Sequence, residues 1–240
     1  DNPVERARVR EALPEVLVPE WPEDKLLYPS AFAKLRCFDT PAVSREDLER
    51  TRMYADERKR DQAQKQVGSI AEWLKSLDLK VRVEPVGPAN LARATQLLNK
   101  TNQLNLTTRR MTEPELLEWS KDPLRSFWTV SVSDRFGDAG LTGLVGIEVE
   151  GDAVRIVDYV LSCRVMGRKV EETMAHLAVE AARARGASSV VATFLPTAKN
   201  KPCLTFWRSS GFANVDDREF RWDAREPYPL PEPITLDWTK

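Results

Sequence analysis

Ile156-Val157-Asp158-Tyr159-Val160-Leu161-Ser162-Cys163-Arg164-Val165-Met166-Gly167-Arg168-Lys169 is the stretch on which the fold turns. Its first six residues are an apolar run that reads as a buried strand. Helical spacing begins straight after Lys169, with Val170, Met174, Leu177, Ala178 and Ala181 on one face. Between strand and helix lies Arg164-x-x-Gly167-Arg168. A strand that turns through such a segment into a helix presents backbone N–H groups and the positive end of the helix dipole to an anion. Arg164, Gly167, Arg168 and Lys169 are therefore the candidate anion site. Farther on come Asn200, Pro202, Phe206-Trp207 and Gly211-Phe212.

The segments on either side alternate regularly. Val81, Val83 and Pro85 predict an alternating strand, and 89–99 a helix. A second helix is expected over 113–121, opened by Thr112 with Pro114 in its first turn. Strands are expected over 127–132 and 141–149, joined by the turn-forming Arg135-Phe136-Gly137-Asp138-Ala139-Gly140. Asp152 turns the chain into the strand 153–161. After the helix that begins past Lys169 come a strand over 189–194 and a last helix over 201–209. The order is strand, two helices, three antiparallel strands, helix, strand, helix. The proline-rich segment 227–233 is expected to be extended and to drape over the surface.

The first forty residues read differently. Asn2-Pro3 is a good helix start, giving a helix from Pro3 to Ala12. Val16-Leu17-Val18 is expected as a short buried strand and 26–35 as a helix. So short a piece cannot bury a core alone, so it reads as the tail of a larger α/β domain. Residues 44–66 are dominated by charge, with Ser44 and Asp47 spaced as a helix cap. Both signs are mixed there, which argues for a solvated linker helix and against nucleic-acid binding. Ile70, Trp73, Leu74 and Leu77 predict a short helix.

Composition narrows the class. The 240 residues are 42% hydrophobic and 30% charged, with a net charge of −1, so nothing pulls the whole chain toward nucleic acid or membrane. No apolar run approaches the ~20 residues of a membrane helix, and no charged-then-apolar leader is read. Cys37, Cys163 and Cys203 are odd in number and widely spaced, suggesting neither a disulfide framework nor a zinc site. A reducing cytoplasm fits that usage. His176 reads as an ordinary helix residue.

Three places could carry chemistry. The segment 96–110 is crowded with Asn, Gln, Thr, Lys and Arg, whose amides and hydroxyls give directional hydrogen bonds. Its arginines give forks suited to carboxylate or phosphate. Asn102, Asn105, Thr108 and Arg109 are its candidate functional residues, beside the plainer reading of a loop tied down by its own amides. In Pro196-Thr197-Ala198-Lys199-Asn200-Lys201-Pro202, Asn200 could bond the amides of a ligand or simply open the last helix. Cys163 stands where strand gives way to anion turn. There a thiol would have a depressed pKa and could serve as nucleophile, beside the blander reading of a small buried strand-end residue.

These segments together carry a resemblance. The strand–turn–helix with Arg164, Gly167 and Arg168, followed by Asn200, resembles the GNAT acyltransferase fold, a mixed central sheet flanked by helices. There the turn holds the pyrophosphate of coenzyme A or a phosphopantetheine arm. Asn99-Lys100-Thr101-Asn102-Gln103, Asn105 to Arg110, Asp134-Arg135-Phe136-Gly137-Asp138, Ser162 to Arg168 and Pro196 to Asn200 are similar to the C-terminal half of FkbH-like proteins. That family joins a HAD-type phosphatase to a GNAT-like domain. The resemblance implies four regions: the end of a HAD-type Rossmannoid over 1–40, a helical linker over 41–78, a GNAT-like domain over 79–225 and a proline-rich tail over 226–240. It implies that 1,3-bisphosphoglycerate is dephosphorylated and its glyceryl group delivered to an acyl carrier protein for polyketide-type biosynthesis. It also implies Asp1 as a magnesium-binding carboxylate of the complete HAD domain. The HAD nucleophile motif is absent, so the chain reads as a piece of a longer protein whose magnesium chemistry does not run on these residues alone. Trp207 stands where many GNAT acetyltransferases place a tyrosine that protonates the leaving thiolate, which indole cannot do. The alternatives are a non-catalytic module that docks the carrier, and a free-standing acetyl-CoA-dependent N-acetyltransferase.

Overall fold

The computed structural model describes residues 2–37 and 45–239, with side chains from Arg52 onward in the second stretch. The chain divides into two units, Asp1–Arg50 and Thr51–Lys240.

In the first unit, α1 (Pro3–Ala12) is opened by Asn2, whose side chain accepts from the Val4 N–H at 2.9 Å. A 3-10 turn capped by Asp24 leads into α2 (Tyr28–Ala33). Val16 and Leu17 are exposed and belong to no strand, against the expectation of a buried one. Arg10 explains the local path: it donates to the Val18 carbonyl at 2.8 Å and pairs with Glu20 at 2.6 Å. These contacts hold Val16-Leu17-Val18 against α1 as a loop. No residue of either helix is buried.

Helix α3 (Arg45–Lys65) ends in the second unit, and α4 (Ile70–Ser76) follows, capped by Ser69. Then come β1 (Leu79–Pro85), α5 (Leu91–Lys100), β2 (Leu104–Asn105) and α6 (Glu113–Trp119). The expected Thr112 cap of α6 is a full capping box with Glu115. Next are β3 (Arg125–Asp134), β4 (Gly137–Glu150), β5 (Ala153–Leu161), α7 (Val170–Ala184), β6 (Ser189–Thr193) and α8 (Lys201–Ser209). Short strands β7 (Ala213–Asn214), β8 (Glu219–Asp223) and β9 (Ile234–Trp238) complete it.

The strands form one mixed sheet in the order β7-β8-β6-β5-β4-β3-β1-β9, with β2 added on β5. β5 and β6 are parallel neighbours joined through α7, the helix that the spacing after Lys169 predicts. The end of the chain does more than drape. Tyr228 is buried and donates to the Ser210 carbonyl at 2.7 Å, and β9 pairs in parallel with β1. Sequence alone does not show β9, because Ile234, Leu236 and Trp238 come directly after the proline-rich run.

Apolar residues cover both faces of the sheet. On one, α4, α7 and α8 pack Leu77, Val170, Met174, Leu177, Ala178 and Trp207 against Val81, Ile156 and Tyr159. On the other, α5 and α6 pack Ala94, Leu97, Leu98 and Leu116 against Phe127, Leu144 and Val160. Among the described residues, no helix is long and apolar enough to cross a membrane.

One irregularity interrupts the ladder between β4 and β5. Gly146 pairs with Asp158 and the next residue, Ile147, pairs with Ile156, so Val157 is an extra residue that bends β5. Gly146 is needed there. A Cβ would lie 2.9 Å from the Phe127 ring and 3.0 Å from the Asp158 carboxylate. Gly146→Ala should therefore cost about 1–3 kcal/mol of stability. Gly87→Ala, where a Cβ meets nothing within 4 Å, should change it by no more than about 0.5 kcal/mol. Urea denaturation of both variants checks the contrast.

Candidate functional site

Beyond the Val157 bulge, β5 and β6 part. They pair only from Ala153–Ser189 to Ile156–Ala192. The rest of β5, to Leu161, is bonded on its other edge by β4. The freed edge is not open. Leu104 pairs with Leu161 and Asn105 with Val160, antiparallel. The Leu106 N–H then donates to the Tyr159 carbonyl at 3.1 Å, and the Leu106 carbonyl accepts from the Leu195 N–H at 2.9 Å. The Thr107 hydroxyl donates to the Val157 carbonyl at 2.9 Å. Residues 104–107 thus bridge the two parted strands. Leu104, Asn105 and Leu106 are each at most 1% exposed. Two buried leucines contribute on the order of 3–6 kcal/mol, so this segment is a fixture and not a loosely lying loop.

Two asparagines lock it. The Asn200 amide donates to the Asn105 carbonyl at 3.0 Å and the Leu195 carbonyl at 2.9 Å. Its oxygen accepts from the Thr197 N–H at 2.7 Å. The Asn105 amide donates to the Thr101 carbonyl at 3.0 Å, and its oxygen accepts from the Thr108 N–H at 2.8 Å. Both candidates named for ligand binding are engaged with the chain itself. Behind them the Cys203 thiol is buried, and burial pushes it up to about 12, so it is not a nucleophile. The Trp207 indole is fully buried. Residues 104–107 fill the space between β5 and β6.

Arg109 is differently placed. Thr108 has a left-handed backbone (φ 54°), rare for a β-branched residue. The turn this makes sends Arg109 back onto the sheet. Its Nε donates to Asp158 Oδ1 at 3.2 Å, and its Nη2 pairs with Oδ2. The guanidinium carbon lies 4.5 Å from the centre of the Trp119 ring. The Arg109 side chain keeps 29% exposure while the Asp158 carboxylate is wholly buried. Burial raises the Asp158 carboxyl above the ordinary carboxylate range, and Arg109 pulls it back down. In sequence Asp158 passes as part of an apolar run; a lone carboxylate inside such a run is the signal that could have found it. Asn102 is held by Arg110, which also donates to the Leu98 carbonyl.

The anion turn has its own partners. Cys163 is exposed at the start of a 3-10 turn, Cys163–Val165, capped by Ser162, and is not the buried strand-end residue of the blander reading, because β5 has already ended at Leu161. Gly167 has φ 74° and Lys169 φ 67°, two left-handed kinks on either side of Arg168. The Gly167 N–H donates to Glu171 Oε1 at 2.7 Å, while Glu171 Oε2 is buried without a partner among the described residues. Burial raises the Glu171 carboxyl. Lys169 pairs with Glu172 at 2.6 Å. Arg168, only 6% exposed in its side chain, donates to both oxygens of Glu57 at 2.6 and 2.8 Å. The linker helix is therefore not fully solvated: Asp56 and Arg60 are buried as well.

These groups form two clusters. Asp158 faces α5 and α6, whereas Tyr159 faces α7, where its hydroxyl donates to the Glu171 carbonyl. Arg109 and the Arg164–Lys169 turn thus belong to opposite faces of β5, with residues 104–107 closing the gap between its edge and β6. Asp1 lies outside the described residues. Among the described residues, no group of three His, Cys, Asp or Glu could hold a metal ion.

Neither any known sequence family nor any curated protein matches the chain. Solved structures overlap part of it. A GNAT-family acetyltransferase from Staphylococcus aureus is 8% identical over 60% of this chain and 99% of its own, with a TM-score of 0.46. The ribosomal-protein-S18-alanine N-acetyltransferase from Escherichia coli is 10% identical over 59% and 89%, with a TM-score of 0.42. A Mycobacterium tuberculosis protein solved with CoA and NLQ is 16% identical over 56% and 72%, with a TM-score of 0.43. With values this low, the fold assignment rests on the strand order and on the β5–α7–β6 crossover.

The Arg109–Asp158 pair yields a signed pH dependence. Removing Arg109 leaves a buried carboxylate alone, which should cost about 3 kcal/mol at pH 7. Without its partner the Asp158 carboxyl titrates higher still, so the folded variant binds a proton that the unfolded chain has already released. The deficit of Arg109→Ala should therefore shrink as the pH falls from 7 toward 5. Urea titrations of parent and variant at both values measure it; a deficit independent of pH would mean that Asp158 does not feel Arg109.

Proposed function

We propose that this chain is the acyl-handling, GNAT-like part of a FkbH-like enzyme, working in the transfer of a glyceryl group to an acyl carrier protein. The observation that supports it is the Arg109 guanidinium. A buried carboxylate fixes it from one side, an indole supports it, and the side chain keeps 29% exposure. A fork fixed in that way is ready for a carboxylate, phosphate or carbonyl oxygen without reorganisation. The strained Thr108 before it is consistent with a position held for use. Arg109 would hold the oxygen of the acyl group, and Asp158 would position Arg109. Arg164, Arg168 and Lys169 would meet the phosphate of a phosphorylated glyceryl substrate or of the carrier. The region 1–40 would be the end of the HAD-type domain and 41–78 the linker to it.

The main competing reading is a free-standing acetyl-CoA-dependent N-acetyltransferase, the other user of this fold that the sequence suggests. Both readings share acyl transfer. The filled gap between β5 and β6 bears on both alike, since coenzyme A and a carrier protein present the same pantetheine arm, which finds no free strand edge there. A third reading, a module that only docks the carrier, draws on the same filled gap.

Arg109→Lys separates them in the chain joined to its phosphatase domain. Lysine keeps the charge beside Asp158 and loses the fork. Glyceryl transfer should drop roughly tenfold or more, the worth of one charge-assisted hydrogen bond, with carrier affinity nearly unchanged. Loss of affinity with transfer intact at saturating carrier would favour docking. Turnover of acetyl-CoA with an amine by this chain would establish the acetyltransferase reading.

A further inference from the structure

The turn that would receive a phosphate is already in contact with α3, and the contact is made of charges. Arg168 donates to both Glu57 oxygens. Arg60, also on α3, binds Asp134 through Nε at 2.6 Å and Nη2 at 3.0 Å, and its Nη1 reaches Glu57 at 3.0 Å. Arg168 Nη1 comes within 3.8 Å of the same Asp134. One helical turn earlier, the Met53 sulfur lies 2.9 Å from Arg164 Nη1. Met53, Glu57 and Arg60 recur at helical spacing, so one stripe of α3 covers both arginines of the turn. Arg60, Arg168, Glu57 and Asp134 close the network with no net charge.

We propose that Glu57 is an internal competitor for a phosphoryl group at the Arg164–Lys169 turn, and that α3 is a latch which such a group releases. The inference rests on the reading of that turn as a phosphate site. Three features carry it. Glu57 takes Arg168 Nη2 with both of its oxygens, and that donor is one an incoming phosphoryl oxygen would claim. Glu57 keeps 43% side-chain exposure, so it can leave into water at little cost, whereas Arg168 at 6% cannot stand unpaired. And Arg168 keeps Asp134 nearby when Glu57 leaves, so exchange of one anion for another never strands it. A contact built mainly of ion pairs is also the kind an incoming anion can compete for, as a contact built of buried leucines is not. Glu171, on the Gly167 amide, would have to swing away as well for the full site to form.

Hydrogen exchange across residues 53–65, with inorganic phosphate titrated into the parent chain and Glu57→Gln, tests the latch. Glutamine keeps the shape and removes the competing charge. Phosphate should speed exchange in α3 of the parent. Glu57→Gln should exchange faster before any is added and bind phosphate about fivefold more tightly, the worth of one exposed ion pair. Arg168→Ala should lose the response. Parallel titrations with 3-phosphoglycerate and coenzyme A show which phosphoryl source the site prefers. Phosphate that binds in an Arg168-dependent way while α3 exchange and the Glu57→Gln affinity stay at parent values overturns the latch and leaves the phosphate site standing. No binding to either chain overturns both. Equal release by sodium chloride at matched ionic strength overturns the latch as well, since screening alone would then open α3.

Discussion

The outer edge of β5 must be hydrogen-bonded by something. Its last residues are buried, and buried backbone N–H and C=O groups left unpaired cost about as much as the hydrogen bonds they forgo. The Val157 bulge bends β5 away from β6, so β6 cannot meet that need beyond Ile156. Residues 104–107 meet it from inside the same chain. Much else depends on this choice. Asn105 and Asn200 are buried because they tie the inserted segment to both neighbours. Leu104 and Leu106 join the main core. Thr108 takes its left-handed turn because the segment must leave the sheet there, and Arg109 is thrown onto Asp158 by that turn. A ligand that extends a sheet edge finds none to extend between β5 and β6, which leaves side chains on the faces for recognition there.

The two polar clusters differ in how they are held. Arg109 and Asp158 are fixed by burial: the carboxylate has no water to retreat into, so the guanidinium stays where the carboxylate is. The Glu57–Arg168–Asp134–Arg60 network is fixed by mutual neutralisation, with Glu57 at its wet edge. The first suits a permanent positioning role. The second suits exchange, because each arginine has more than one anion within reach. Gly137 belongs to the same arrangement: a Cβ there would collide with the Asp56 carboxylate, so a larger hairpin residue would displace that side chain.

Periodic segments were the legible part of the fold. The stripe Val170, Met174, Leu177, Ala178, Ala181 and the alternation Val81, Val83 are buried as their spacing demands. Caps at Asn2 and Thr112 are visible in sequence because a partner three residues or fewer away completes them. What stayed hidden depends on distant partners. β2 is two residues long and exists only because β5 offers an edge some fifty positions later. Val16-Leu17-Val18 looks like a strand by composition, yet the Arg10 contact with Val18 decides its path. Charge in α3 looked like solvation because sequence cannot show that Glu57 faces Arg168, 111 positions away.

The candidate residues divide along the same line. The density of amides in 96–110 reflected two demands at once, a loop that must tie itself down and an arginine that must be aimed. Asn99, Asn105 and Arg110 answer the first, since each bonds backbone within or beside the segment. Of the candidates in that segment, Arg109 is the one anchored to the sheet by its side chain and still partly open. Asp158 is hard to see for the opposite reason: a carboxylate among Ile156, Val157, Tyr159 and Val160 is masked by its apolar neighbours. Charge inside an apolar run is costly unless something comes to meet it. A sequence that keeps Asp158 there therefore implies a cation elsewhere, and the insertion of residues 104–107 is what brings that cation, Arg109, within reach.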